Sequence, residues 1–262
     1  MRAKSGLNSM PIMDLKSGKW SGMEALIRWN HPLRGLMSPV DFIPFAEQSG
    51  MINEIGQWVL DEAVRQLSVW TRMSDVFKDL TMSINVSVKQ IDRELVRNVM
   101  QAVEANGVSP LQIQLEITES LVMSDFKQVI NISHDLKAAG IKLAMDDFGT
   151  GYSSLSYLHR LPFSALKIDR SFISMMKTRK SPDDDIVAAV IRLANNFNMK
   201  VIAEGVENHS QLLALNELGC DYVQGYFIGK PKPASEFEAI IAEGKIFLDL
   251  TSSMGTTVVS IT

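Results

Sequence analysis

Six oxygen-bearing side chains in this chain stand at the ends of short, apolar, strand-like runs. Glu24 closes Ser21-Gly22-Met23-Glu24, and Asn85 sits in Met82-Ser83-Ile84-Asn85-Val86-Ser87. Glu116 ends Ile113-Gln114-Leu115-Glu116, Asp146 and Asp147 close Ile141-Lys142-Leu143-Ala144-Met145, and Glu204 closes Val201-Ile202-Ala203. A carboxylate at the end of an apolar strand is costly to desolvate unless a partner neutralises it. Together with Lys167 in a further strand, such a set suits a hard divalent cation, which prefers oxygen ligands. A metal site of that kind can neutralise an anionic substrate and activate water for hydrolysis.

Composition narrows the field. The chain has 262 residues, 46% of them hydrophobic, enough for one sizeable core in a single α/β barrel or in two small domains. The net charge of −4 implies no basic surface for duplex nucleic acid, although a small anionic ligand fits if metal ions supply the positive charge. Cys220 is the only cysteine, which excludes an internal disulfide and cysteine-rich zinc sites and suits a reducing, cytoplasmic compartment. It reads as a buried apolar residue. No run approaches the roughly 20 apolar residues of a membrane span, so no membrane contact is expected of this piece. Met1 to Asn8 lack the apolar core of a signal peptide, and the abrupt start raises the expectation of a fragment of a longer protein without deciding it. His31, His134, His159 and His209 have no metal-ligand spacing and read as structural or surface residues. The 15 methionines read as core filler.

The elements that must position the acids follow from periodicity. Strands are predicted over Met23–Trp29, Thr81–Val86, Gln112–Ile117, Ile141–Met145, Ala165–Ile168, Lys200–Ala203 and Tyr222–Val223, with an extra one over Leu7–Asp14. Helices are predicted over Val40–Glu47, Glu54–Arg72, Lys89–Ala105, Phe126–Ala139, Asp185–Phe197, Ser210–Leu218 and Ala234–Ile241. The second carries Ile55, Trp58, Val59, Leu60, Ala63, Leu67 and Trp70 in its stripe, and the fifth carries Ile186, Val187, Val190, Ile191, Ala194 and Phe197. A Gly/Ser-rich loop over Asp147–Ser154 leads to a short helix ending at Arg160. About eight strands alternating with helices favour a TIM-type (β/α)8 barrel over an open sheet. Residues 246–262 read as a tail or linker after a domain over 1–245, with an added edge strand as the lesser alternative.

Strand alternation aims the polar residues inward. Residues two apart share a face, so Glu24, Leu26 and Arg28 lie together, as do Ser83, Asn85 and Ser87, then Gln112, Gln114 and Glu116, and then Lys167 and Asp169. Their apolar neighbours face the helices. Barrel enzymes carry their chemistry at the C-terminal ends of the strands, where most of these residues stand.

Glu24-Ala25-Leu26-Ile27-Arg28-Trp29 resembles the signature of the EAL family of cyclic-di-GMP phosphodiesterases. Further matches follow in family order: Ile84-Asn85-Val86-Ser87, Leu115-Glu116-Ile117-Thr118-Glu119-Ser120, Asp146-Asp147-Phe148-Gly149-Thr150-Gly151-Tyr152-Ser153-Ser154-Leu155, Leu166-Lys167-Ile168-Asp169-Arg170-Ser171-Phe172, Ala203-Glu204-Gly205-Val206-Glu207 and Gln224-Gly225-Tyr226. The resemblance covers roughly residues 10–242.

It implies a TIM-like barrel with an antiparallel first strand, the EAL fold. The implied activity is Mg²⁺- or Mn²⁺-dependent hydrolysis of cyclic-di-GMP to linear pGpG, with two ions per site. Metal ligands would be Glu24, Asn85, Glu116, Asp146, Asp147 and Glu204. Lys167 and Gln224 would serve the attacking water, with Glu204 and Glu207 beside them, and Glu119 would brace the loop after Asp147. Leu26, Arg28, Asp169 and Gln224 would touch substrate. A homodimer, and a sensor or GGDEF domain elsewhere in the parent chain, are implied in the same way. One departure stands out: Met10 occupies a position where relatives carry a glutamine that touches substrate, which puts affinity in question more than chemistry. Two other readings remain: a receptor that binds cyclic-di-GMP without cutting it, and a barrel using Lys167 as a Schiff-base amine.

Overall fold

The chain folds around a closed barrel, seen in a computed structural model that describes residues 4–124, 126–149, 158–176, 182–242, 247–248 and 258–259. Ten strands form one sheet: β1 (Lys4–Asp14), β2 (Trp20–His31), β3 (Gly35–Met37), β4 (Thr81–Asn85), β5 (Ile113–Thr118), β6 (Lys142–Phe148), β7 (Ala165–Ile168), β8 (Lys200–Ala203), β9 (Tyr222–Gln224) and β10 (Lys232–Pro233). Eight of them close the ring in the order β1-β2-β4-β5-β6-β7-β8-β9 and back to β1. All neighbours are parallel except at β1, which runs antiparallel to both β2 and β9.

The reversed first strand follows from the length of its connection. Only Leu15–Lys19 joins β1 to β2, and a parallel pair needs a crossover of a dozen or more residues. The turn is locked by backbone bonds from Asp14 N–H to Lys19 O and from Gly18 N–H to Asp14 O, both 2.9 Å. β3 extends β2 outside the ring, and β10 adds to the edge of β1. Phe247–Leu248 pairs with Val258–Val259 as a separate two-stranded ladder, not as an edge of the barrel sheet.

Helices pack around the ring: α1 (Pro39–Ser49), α2 (Ile52–Met73), α3 (Arg93–Asn106), α4 (Glu119–Ser124), α5 (Phe126–Ala138), α6 (Arg170–Met175), α7 (Pro182–Asn196), α8 (His209–Glu217) and α9 (Ala234–Ala242). The stripe of α2 is buried at Val59, Leu60, Ala63, Leu67 and Trp70, whereas Trp58 lies at its edge, 37% exposed. Likewise Val187, Ile191 and Ala194 of α7 are buried, and Ile186, one position off the stripe, is exposed. Each fully buried aliphatic contributes roughly 1.5–3 kcal/mol, so Leu67→Ala would cost about 2–5 kcal/mol with its cavity. Sequence periodicity also starts α3 too early. Val88–Gln90 is a separate 3-10 turn, and the helix begins after Asp92, whose carboxylate accepts from the N–H groups of Glu94 and Leu95. Gln112 belongs to the 3-10 turn before β5 rather than to the strand. The glycine-rich loop reaches beyond the described residues after Gly149, and β6 itself continues through Asp147 to Phe148.

Two layers of side chains fill the barrel. The lower holds Ile12, Ala144, Ala165 and Ile202 packed together with Tyr222 against them, and Gln114 Nε2 donating to Ser83 Oγ at 3.0 Å. Two residues further along these strands, towards the C-terminal ends of the parallel ones, stand Met10, Glu24, Asn85, Glu116, Asp146, Lys167, Glu204 and Gln224. This upper layer is the barrel mouth.

Candidate metal centre

Every strand of the ring places at least one residue in the mouth, and Lys167 stands at its centre. The ammonium Nζ lies 2.6 Å from Glu116 Oε2, 2.6 Å from Glu204 Oε1, 3.3 Å from Asp146 Oδ1 and 3.8 Å from Glu24 Oε1. Its side chain is 1% exposed. Glu24 in turn accepts from Asn85 Nδ2 at 2.7 Å and from Gln224 Nε2. The arrangement joins five strands through one cation and its carboxylates.

Asp146 and Asp147 are consecutive, so plain alternation would send them to opposite faces. A register shift in the β6–β7 ladder between Met145 and Phe148 resolves this, and Asp147 takes a left-handed backbone with φ 55°. Such a conformation is strained for a non-glycine residue and marks a position that the surrounding structure enforces. As a result, Asp146, Asp147 and Glu204 can each bring a carboxylate oxygen within 4.8 Å of the others.

The electrostatics are those of a crowded acid cluster. Burial pushes the Glu116 and Glu204 carboxyls up to about 8; Lys167 opposes this, and Glu24 and Asp146 reinforce it. Burial, then the charges of Asp146 and Asp169, also raise Asp147. For Lys167 burial is the largest influence and acts downward, but the four surrounding carboxylates outweigh it and hold the ammonium well above its ordinary range. The amine is therefore charged and engaged, which is the wrong state for Schiff-base chemistry.

The residues fit a divalent cation. Among the described residues, Glu116 Oε1 and Gln224 Oε1 are buried and accept no hydrogen bond, an arrangement costing about 1–3 kcal/mol per atom unless a donor or cation faces them. All the candidate ligand atoms are oxygens, the set that Mg²⁺ and Mn²⁺ prefer.

The remaining predicted residues have definite places. Glu119 opens α4, is buried, and accepts from the Gly149 N–H at 3.0 Å, which ties it to the chain leaving Asp147. Arg28, Leu26 and Glu207 line the cleft above the acids, as do Met10 and Gln224, around a volume of about 300 Å³. Asp169 uses Oδ1 to cap α6 through the Ser171 N–H at 2.9 Å. The cap of α8 is Asn208, so Glu207 keeps its exposed carboxylate out of the helix terminus. Cys220 is buried with its thiol pushed up to about 12 by desolvation, as expected of an inert core cysteine. His31 Nδ1 accepts from the Leu33 and Arg34 N–H groups in a turn, a structural role. The cleft also includes Arg170 and Tyr226, which sequence reasoning left unassigned although each directly follows a strand-end site residue or its glycine. Gly225 between Gln224 and Tyr226 lies against backbone: a Cβ there would meet Val206 N at 2.2 Å.

The EAL domain family model matches residues 7–231, most of the chain and every strand of the barrel except the first residues of β1. The chain belongs to the EAL domain family. This EAL domain is 42% identical over 237 residues to the bifunctional diguanylate cyclase/cyclic di-GMP phosphodiesterase MucR of Pseudomonas aeruginosa, covering 90% of the chain and 34% of that protein. It is 40% identical over 236 residues to the cyclic di-GMP phosphodiesterase NbdA of the same organism, covering 90% of the chain and 30% of that protein. The chain thus spans about a third of the length of these relatives. Among solved structures, the PaMucR phosphodiesterase in complex with c-di-GMP superimposes with a TM-score of 0.84 at 42% identity, covering 89% of this chain and 94% of that one. Among the described residues, no helix is long and apolar enough to cross a membrane.

Proposed function

We propose that this EAL domain hydrolyses one phosphodiester of cyclic-di-GMP, releasing linear pGpG. The observation that carries the reading is the mouth itself: Glu24, Asn85, Glu116, Asp146, Asp147 and Glu204 converge around Lys167, and two buried oxygens there find no donor among the described residues. The likeness to MucR and NbdA, and to the c-di-GMP complex of PaMucR, supports the choice of substrate.

Glu24, Asn85, Glu116, Asp146, Asp147 and Glu204 would hold two Mg²⁺ or Mn²⁺ ions. When bound, such ions lower the pKa of water and neutralise the phosphate. The chain's own residues do the rest. Lys167 remains protonated among the acids and donates from Nζ, so it orients Glu116 and Glu204 and offers positive charge where a phosphorane-like transition state accumulates negative charge. Gln224 donates from Nε2 to Glu24 and keeps Oε1 as an acceptor for the hydrogen of an attacking water. Among the described residues, Arg28 Nη1 donates only to the neighbouring Ile27 carbonyl, at 2.9 Å, so Arg28 offers its remaining donors to a substrate phosphate. Leu26 and Asp169 border the nucleotide, Glu207 faces it from the rim, and Glu119 fixes the start of the loop after Asp147.

In the parent protein this domain would act in the cytoplasm, as a homodimer, alongside a sensor or GGDEF domain. Chromatography of cyclic-di-GMP incubated with the chain tests the reading. Metal-dependent pGpG is the expected product, and tight binding without product would make the domain a receptor instead.

A further inference from the structure

We propose that Arg170 is a second phosphate-gripping residue, facing Arg28 across the barrel mouth, so that the site grasps both phosphodiesters of a cyclic dinucleotide. This deepens the function proposed above and rests on it.

The barrel order puts the two arginines on opposite sides. Arg28 continues β2 and Arg170 follows β7, and these strands are four places apart in a ring of eight, whichever way it is counted. Both line the same cleft, together with Glu24, Asp146, Lys167 and Glu204. A cyclic dinucleotide has approximate two-fold symmetry, with its two phosphodiesters on opposite edges of the ring. When one lies over the acids for cleavage, the other is displaced across the mouth, where the acids themselves would repel it. A cation there is needed to hold it.

Arg170 is built for that position. It is exposed and, among the described residues, its guanidinium makes no hydrogen bond or ion pair. It stands at the first position of α6, beside a rim that carries Glu204 and Glu207, so its lack of a carboxylate partner leaves its charge available to a ligand. The base of its side chain is held by close packing. Gly205, directly after Glu204, adopts φ +72°, and a Cβ there would lie 2.5 Å from Arg170 Cβ. The same glycine that lets the chain turn after a candidate metal ligand thus seats the arginine stem against the mouth. A guanidinium so placed binds a phosphate through paired N–H groups, which an ammonium cannot reproduce.

The test compares two substrates on the full chain loaded with Mn²⁺: cyclic-di-GMP, with two phosphodiesters, and bis(p-nitrophenyl) phosphate, with one. For Arg170→Ala the ratio of kcat/KM on cyclic-di-GMP to that on bis(p-nitrophenyl) phosphate should fall about tenfold relative to the unsubstituted protein, mostly through KM. Arg170→Lys should recover part of the loss. An unchanged ratio, whether both activities hold or both fall together, would overturn the assignment. If the unsubstituted protein cleaves bis(p-nitrophenyl) phosphate but neither binds nor cleaves cyclic-di-GMP, the functional reading fails and takes this inference with it. Full turnover of cyclic-di-GMP by Arg170→Ala defeats this inference alone.

Discussion

The two layers inside the barrel stand on the same strands, two residues apart, and obey opposite energetics. In the lower layer Ile12, Ala144, Ala165 and Ile202 pack on one another, and the polar pair Ser83–Gln114 satisfies itself at 3.0 Å. In the upper layer, four carboxylates crowd one ammonium, and two buried oxygens find no donor among the described residues. Burial stabilises the first layer as it stands. It destabilises the second until cations arrive, because desolvation disfavours every charge it holds. The fold thus anchors its chemistry on a floor that needs no ligand.

The largest effects should come from breaking the upper layer. Lys167→Met removes the one cation that faces four acids, and an uncompensated buried charge costs about 3–5 kcal/mol. Melting in EDTA should therefore drop sharply, and added Mn²⁺ should restore much of it, while turnover remains lost. Glu116→Ala should lower turnover by at least ~100-fold, the scale seen when one electrostatic contact to a transition state is removed. A Lys167→Met protein as stable in EDTA as the parent would break the contrast between the layers.

Acidity sharpens the contrast next. Burial raises the Glu116 and Glu204 carboxyls to about 8 in the folded, metal-free chain, against an ordinary glutamate value of 4.5, with Lys167 opposing the shift. The folded state then binds more protons than the unfolded chain between those values, so metal-free stability should fall as pH rises from about 4.5 towards 8. Metal binding must displace those protons, so affinity should rise over the same range. Melting curves across pH, with and without Mn²⁺, should diverge upward in pH, and parallel curves would contradict the electrostatic account.

Smaller effects belong to the lower layer and the loop brace. Ser83→Ala leaves the Gln114 amide unsatisfied and should cost about 1–3 kcal/mol of stability with turnover nearly unchanged. Glu119→Gln retains the shape but weakens the acceptor for the Gly149 N–H, and should reduce turnover severalfold with little loss of stability.

Much of this was legible in the residues. Alternation alone aims Glu24, Asn85, Glu116 and Lys167 into one space, and the predicted strands Ala165–Ile168 and Lys200–Ala203 match the structure at both ends. Asp146-Asp147 was legible as a pair but not as a geometry. Putting both into the mouth takes a bulge and a left-handed Asp147, neither of which has a periodic signature. Trp58 and Ile186 show the limit of a helical stripe: hydrophobicity names the face, and packing decides its edges. β3 was missed because three residues give no period, and Arg170 because its place depends on Gly205, distant in sequence and adjacent only in the fold.

The proposed function turns on the upper layer serving as a cation-dependent phosphodiesterase site. Its most direct test is product analysis of cyclic-di-GMP incubated with the chain in Mg²⁺, in Mn²⁺ and in EDTA. Linear pGpG should form with either metal and not in EDTA. Equal product in EDTA, or no product with either metal, would contradict it.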